Sequence, residues 1–177
     1  TLVGQVIEAL QRDEKPLPAL CVAGDLTQSA TEKEFRAAEA ELLRLREAMK
    51  ILPASTLVIP GNHDVDWNEQ AFEKRLDRFR LFAQRITGRS IEPSLADEVS
   101  INSSDISVRL LGLNSCELDS QELAGVGAVA PNAWPSLPHD SSFDCTIGVL
   151  HHNPLAVTLR EPDAFDPTKK RPPVFAN

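Results

Sequence analysis

Tyrosine is absent from this chain, aromatic residues make up 5% of it, and cysteine occurs only three times in 177 residues. Cys21, Cys116 and Cys145 are odd in number and widely spaced, with no C-x-x-C pair. That argues against a disulfide framework and against a Cys-rich structural zinc site. Cys21 and Cys145 fall within apolar runs, where buried strands are expected and a thiol packs as a small hydrophobe. A reducing, cytoplasmic compartment is the expectation. No apolar run approaches the ~20 residues a membrane-crossing helix needs, and no secretory leader pattern is visible. The chain opens inside a helical pattern, so an upstream segment is expected. Basic residues are also scarce: 18 Lys and Arg face 26 Asp and Glu, a net charge of −8. A nucleic-acid groove built of Lys and Arg is therefore disfavoured. An anionic phosphate ester is not, because bound divalent metals invert the local charge.

What is present suits one globular domain with a real core, 42% hydrophobic and rich in leucine and valine. Leu2, Val3, Val6, Ile7 and Leu10 share one helical face. Pro16 and Pro18 end that helix and lead to a strand at 19–23. Ser29 followed by Glu32 reads as a capping box, opening a helix over roughly 30–50 with Phe35, Ala38, Leu42, Leu45, Met49 and Leu52 inward. Pro53 stops it, and a strand follows at 55–60. Asp66 or Asn68 is expected to cap a third helix over 68–87, with Phe72, Leu76, Phe79, Ala83 and Ile86 inward and Gly88 at its end. Strands are expected at 106–113 and 143–150, with a short helix from Pro131 between them and a surface loop after Pro154. Helices alternate with strands early and strands adjoin later, which predicts a layered α/β architecture with mixed sheets.

Three apolar runs end in polar groups able to bind metal. Leu20-Cys21-Val22-Ala23 leads into Gly24-Asp25, Thr56-Leu57-Val58-Ile59-Pro60 into Gly61-Asn62-His63-Asp64, and Thr146 to Leu150 into His151-His152-Asn153. Positions beyond the carboxyl ends of strands converge in space even when distant in sequence. Each group alone is a turn or a cap; their joint occurrence is what points to a site. A carboxylate from Asp25, an amide oxygen from Asn62 and an imidazole from His151 make a mixed O/N donor set suited to Mn, Fe, Zn or Ni. Two such ions can share a hydroxide and clamp the attacking and leaving oxygens of a phosphoryl displacement. His63, next to Asn62, is a candidate to protonate the leaving alkoxide or to hold a phosphate oxygen. Asp64 is expected to act on His63.

Taken in order and spacing, Gly24-Asp25, Gly61-Asn62-His63-Asp64 and His151-His152-Asn153-Pro154 resemble the middle three motifs of the calcineurin-like metallophosphoesterases. The resemblance implies an α/β/β/α sandwich and a centre of two divalent metals. Asp25 would bridge both ions, Asn62 and His151 would bind the second, and His63 would contact the phosphate. The family takes the first histidine of the pair as ligand, which leaves His152 as a substrate contact beside Asn62 and His63. The family's opening Asp-x-His and closing Gly-His-x-His motifs do not occur in the sequence. Residues 1–177 are therefore expected to be the central portion of a single longer domain, incomplete at both ends. One metal keeps only Asp25, so the chain alone is expected to bind metal weakly and to be inactive.

The Ser/Thr phosphatase branch resembles Gly-Asp-x-x-Asp-Arg-Gly and Gly-Asn-His-Glu. Here Gly24-Asp25-Leu26-Thr27-Gln28-Ser29-Ala30 lacks the second aspartate and the arginine, and Gly61-Asn62-His63-Asp64 ends in Asp. The pattern is closer to the bacterial-type phosphodiesterase and phosphohydrolase branch. A nucleotide or cyclic nucleotide is the expected substrate class. Two alternatives stand beside it: a non-catalytic interaction module on the same fold, and a nuclease. Lys74, Arg75, Arg78, Arg80, Arg85 and Arg89 on the third helix would serve the nuclease, but a solvated helix face is the preferred reading. Trp67 and Trp134 either wall the cleft or cap the core.

Overall fold

The computed structural model of the chain describes residues 2–11, 19–71, 74–91, 97–116, 127–129 and 142–152. The expectations for Phe72, for the helix at Pro131, for Trp134 and for the stretch after Pro154 lie outside those residues. The apolar stripe beginning at Phe35 forms a helix, α2 (Glu32–Met49), that buries Phe35, Leu42 and Leu45. Its cap is not the expected Ser29–Glu32 pair. Thr31 is the N-cap and Glu34 the reciprocal partner, with Glu34 N–H donating to Thr31 Oγ1 and Thr31 N–H to the Glu34 carboxylate. The register moves two residues along because Ala30 stands in the left-handed region, φ 50°, and donates its N–H to Thr27 Oγ1. Residues 29 and 30 thereby belong to the preceding loop. Lys50, also left-handed, closes the helix onto the carbonyls of Arg46 and Glu47.

Removing this cap has a measurable cost. Thr31→Ala is expected to lower stability by about 1 kcal/mol in urea denaturation. The Thr31 hydroxyl and N–H, with the N–H groups of Gln28 and Ser29, hold the Glu34 carboxyl below its ordinary value of 4.5. A depressed folded pKa stabilises fully above the unfolded value and is lost as pH falls through the folded one. The stability gap between wild type and Glu34→Gln should therefore be full above pH 4.5 and close in acid. A gap that stays constant with pH would remove the carboxylate from the account.

The first sheet pairs β1 (Leu20–Ala23) with β2 (Thr56–Ile59) in parallel, Leu20 opposite Thr56 and Ala23 opposite Ile59. Every residue of β2 is buried. Alternate side chains go to opposite faces: Val58 joins Phe35, Phe79 and Phe82, while Leu57 packs with Val99 and Leu110. Covering on both faces explains an uninterrupted apolar run. The register also sets the two carboxyl ends side by side, so the loops after Ala23 and Ile59 leave the sheet together.

The second sheet has the order β3 (Asp97–Asn102), β4 (Ser107–Gly112), β5 (Cys145–Val149), with β3–β4 antiparallel and β4–β5 parallel. The expected order of elements omits β3. Its signal is the period-2 pattern of Val99, buried, and Ile101, half-buried, against the exposed Glu98 and Ser100. Arg89 ties it down, bonding Asp97 through Nε and Nη2 and the Thr56 carbonyl through Nη2.

Two further expectations are corrected. The third helix, α3 (Asp77–Thr87), starts nine residues later than the expected 68. Asp66 is not its cap: its N–H donates to the Arg75 carbonyl and its carboxylate takes the Asn68 N–H and the Arg78 guanidinium, closing a wide loop ahead of the helix. Gly88 ends α3 in the left-handed region as expected. Cys21 and Cys145 are exposed, and Cys116 is the buried thiol. The basic residues around α3 are largely engaged: Arg78 with Asp66, Arg80 with Asp77, Arg85 with Glu39 and Arg89 with Asp97.

The architecture is mixed α/β. The helices α1 (Leu2–Gln11), α2 and α3 share the cluster around Val58, and the second sheet meets β2 through Leu57. Among the described residues no helix is long and apolar enough to cross a membrane.

Candidate metal centre

The two loops that leave β1 and β2 are interlocked at their glycines. Gly24 has φ +82°, and a Cβ there would lie 2.3 Å from the Gly61 nitrogen. A Cβ on Gly61 would lie 2.2 Å from the Asp25 nitrogen and 2.3 Å from Asp25 Oδ1. Only backbone fits between them. Asp25 itself stands at φ 56°, a left-handed conformation that Asp adopts more readily than most residues and that clusters at functional sites. The crossing aims its carboxylate at the second loop, where Oδ1 accepts the His63 N–H at 3.2 Å.

His151 arrives from β5. Its Nδ1 is 2.8 Å from the Ala23 carbonyl, which can only accept, so Nδ1 carries a proton. Its Nε2 then faces Asn62 Oδ1 at 3.1 Å and Asp25 Oδ1 at 3.4 Å. One imidazole nitrogen and two oxygens thus meet with lone pairs turned toward one another. Such a cluster is satisfied by a proton on Nε2, by the Asn62 amide turned to present its NH2, or by a metal ion. An imidazole whose other N–H is given to a backbone carbonyl has the orientation commonly found in metal ligands. Asp25, Asn62 and His151 are thereby brought together as the sequence predicts, and their donor set fits a divalent ion. Asp25 and His151 are its only members among the metal-binding side-chain types His, Cys, Asp and Glu. No cluster of three such groups occurs among the described residues.

Asp64 departs from its expected part. It is fully buried, and its oxygens accept the N–H groups of Gly61 at 3.0 Å, Thr27 at 3.0 Å and Leu26 at 3.3 Å. It does not hold the His63 ring. Consecutive residues of the Asn62–Asp64 3-10 turn point about a third of a turn apart, so His63 faces outward while Asp64 faces in. Burial pushes the Asp64 carboxyl up, against the pull of the hydrogen bonds from Gly61, Leu26 and Thr27. Asp64 positions the site by stapling its two loops.

The His63 ring is oriented by Gln28. Its Nδ1 lies 3.1 Å from the Gln28 carbonyl and 3.2 Å from the Gln28 side-chain amide. Trp67 runs beside it, ring centroids 6.3 Å apart and planes inclined by 27°. These rings, with Gln28, Ser29, Asn62, Val65 and Asn68, line a cleft of about 210 Å³. His152 turns the other way. It is buried, its Nδ1 2.9 Å from Ser115 Oγ, and its ring meets His151 edge-on at 5.1 Å. Burial, then the neighbouring His151, hold its pKa down, and its ring lies behind that of His151. The expected substrate contact by His152 is not what this placement offers.

Gln28, Thr27, Ser115 and the Ala23 carbonyl all serve the site and none stood out in the sequence. No protein-family model matches the chain, and no curated protein matches it.

Proposed function

We propose that this chain carries the central part of a metal-dependent phosphoesterase site, on a layered α/β/β/α domain of the kind its motifs resemble. The observation that supports it is the meeting of Asp25 Oδ1, Asn62 Oδ1 and His151 Nε2, with the other nitrogen of His151 committed to the Ala23 carbonyl. Asp25, Asn62 and His151 would hold one divalent ion, of Mn, Fe, Zn or Ni, and Asp25 would be shared with a second. When bound, such ions supply the Lewis acidity and charge neutralisation that phosphoryl displacement requires.

The residues of the chain divide the remaining work. Asn62 belongs both to the donor cluster and to the cleft wall, so a phosphate held there sits at the mouth of the cleft. His63 Nδ1 is committed to Gln28, so Nε2 is the ring atom left for the substrate: it would hold a phosphate oxygen, or, with both ring nitrogens protonated, give its proton to a leaving alkoxide. The Asp25 carboxylate takes the His63 backbone N–H and so holds this loop beside the donor cluster. The substrate is a phosphodiester or phosphomonoester.

Full-length protein supplied with Mn²⁺ is expected to hydrolyse a chromogenic phosphodiester. Asn62→Ala and His63→Ala are each expected to lower kcat/KM by about 100-fold or more, the scale of losing one electrostatic or proton-transfer group. Full activity in either variant would reject the assignment.

A further inference from the structure

We propose that the cleft beside the donor cluster is a nucleobase subsite, with Trp67 as its stacking wall. This rests on the phosphoesterase reading and names the substrate class: a nucleotide ester whose phosphate lies at Asn62 and His63 and whose base lies against Trp67. The lining is what distinguishes a base from other groups. Gln28, Ser29, Asn62 and Asn68 are uncharged hydrogen-bonding side chains, Val65 is apolar, and Trp67 and His63 present near-parallel ring planes. Among the described residues no Lys, Arg, Asp or Glu lines it. A phosphate or a quaternary ammonium head group asks for charge or an aromatic cage. A base asks for a π-face and amides along its edge, because every base has a flat face and a neutral row of donors and acceptors.

Size points the same way. The cleft holds about 210 Å³, below the ~300 Å³ at which whole small-molecule pockets begin, so it takes one ring system of a larger substrate. Its position completes the match. Asn62 and His63 belong to the cleft wall, while the Asn62 side chain touches His151 and the His63 N–H touches Asp25. A ligand that enters ring-first leaves its ester at the donor cluster. Trp67 also packs against the core cluster that contains Phe35, Val58 and Phe79, which makes it a fixed wall and not a loose surface ring. Asn68 is exposed beside it, where an amide can reach the outer edge of a base.

Two measurements test this. In a Trp134→Phe background Trp67 is the remaining tryptophan of the chain, and its fluorescence needs neither metal nor turnover. AMP is expected to quench it saturably and ribose 5-phosphate not at all. Phenyl phosphate is expected to bind at least several-fold more weakly than AMP, and Asn68→Ala to weaken AMP binding. Absence of saturable quenching, or equal effects of AMP and phenyl phosphate, would overturn the subsite. The second measurement is a ratio of kcat/KM values, for a dinucleoside monophosphate over a glycerophosphodiester. Trp67→Ala is expected to lower that ratio about tenfold, within the range for losing one base stack, and Trp67→Phe to restore most of it. A merely structural tryptophan would lower both rates and leave the ratio unchanged. Hydrolysis of both diesters with a ratio indifferent to Trp67 rejects the subsite and keeps the phosphoesterase. Saturable AMP quenching without hydrolysis of either diester does the reverse.

Discussion

Asp64→Ala is expected to cost about 3–4 kcal/mol of stability, more than any other single polar truncation near the candidate site. Among the described residues the carboxylate is the acceptor for two buried N–H groups, those of Gly61 and Thr27, and it also takes the N–H of Leu26. Alanine leaves these donors facing a cavity. A buried donor left without a partner costs about 1–3 kcal/mol, and the two best-buried ones dominate. The burial that pushes the Asp64 carboxyl up means that deleting the charge recovers some desolvation, which keeps the net loss below the sum of the parts. The Thr27 hydroxyl does not rescue the site, since it lies closer to the His63 carbonyl, 2.8 Å, than to Asp64 Oδ1, 3.0 Å. Asp64→Asn should be milder but still damaging. An amide presents one oxygen, and its NH2 would face two N–H groups. Urea denaturation of the three proteins checks the order, wild type over Asn over Ala. Equal midpoints would mean that water takes over the carboxylate's role and that the staple is dispensable.

The sequence made the placement of the donor cluster legible for a physical reason. Each of Asp25, Asn62 and His151 stands within two or three residues of the end of an apolar run, and parallel pairing of β1 with β2 sends the first two out together. Where the sequence misled, the information was not local. Asp64 and His63 are neighbours in the chain, yet the 3-10 turn sends one into the core and the other to the cleft. Ser29 and Glu32 have the spacing of a capping box, but Thr31 and Glu34 have it too. The loop's bond from Ala30 to Thr27 decides between them. The α3 start was displaced because Asp66, a good cap by composition, is committed to Arg78 and to the backbone of Asn68. Cys21 and Cys145 sit in apolar sequence yet are exposed, and periodicity carries no information on what covers a strand. The role of Gln28 depends on a loop crossing that no pattern in the sequence announces.

The second large effect is expected at Gly61→Ala, and it separates steric from torsional reasons for a glycine. Gly61 has φ −101°, which alanine adopts without strain. Its cost is therefore purely one of space: the new methyl would stand 2.2 Å from the Asp25 nitrogen and 2.3 Å from Asp25 Oδ1. Neither neighbour can yield cheaply. The Asp25 backbone follows β1, held in register against β2, and the Gly61 side of the crossing is held by Asp64. Overpacking of this kind costs about 1–3 kcal/mol where neighbours can shift, and two contacts this short on held groups place the expected loss at about 3 kcal/mol. The larger consequence is for the cluster. Oδ1 is the Asp25 atom that faces His151 and accepts the His63 N–H. Pushing it aside should weaken Mn²⁺ binding by about 10–100-fold, the range seen when groups that orient a ligand are lost. Calorimetric Mn²⁺ titration at a temperature where the variant remains folded reads this apart from stability. A destabilised variant with wild-type Mn²⁺ affinity would mean that Asp25 Oδ1 is not a ligand. An unchanged melting curve would mean that the two loops do not cross as closely as Gly24 and Gly61 imply.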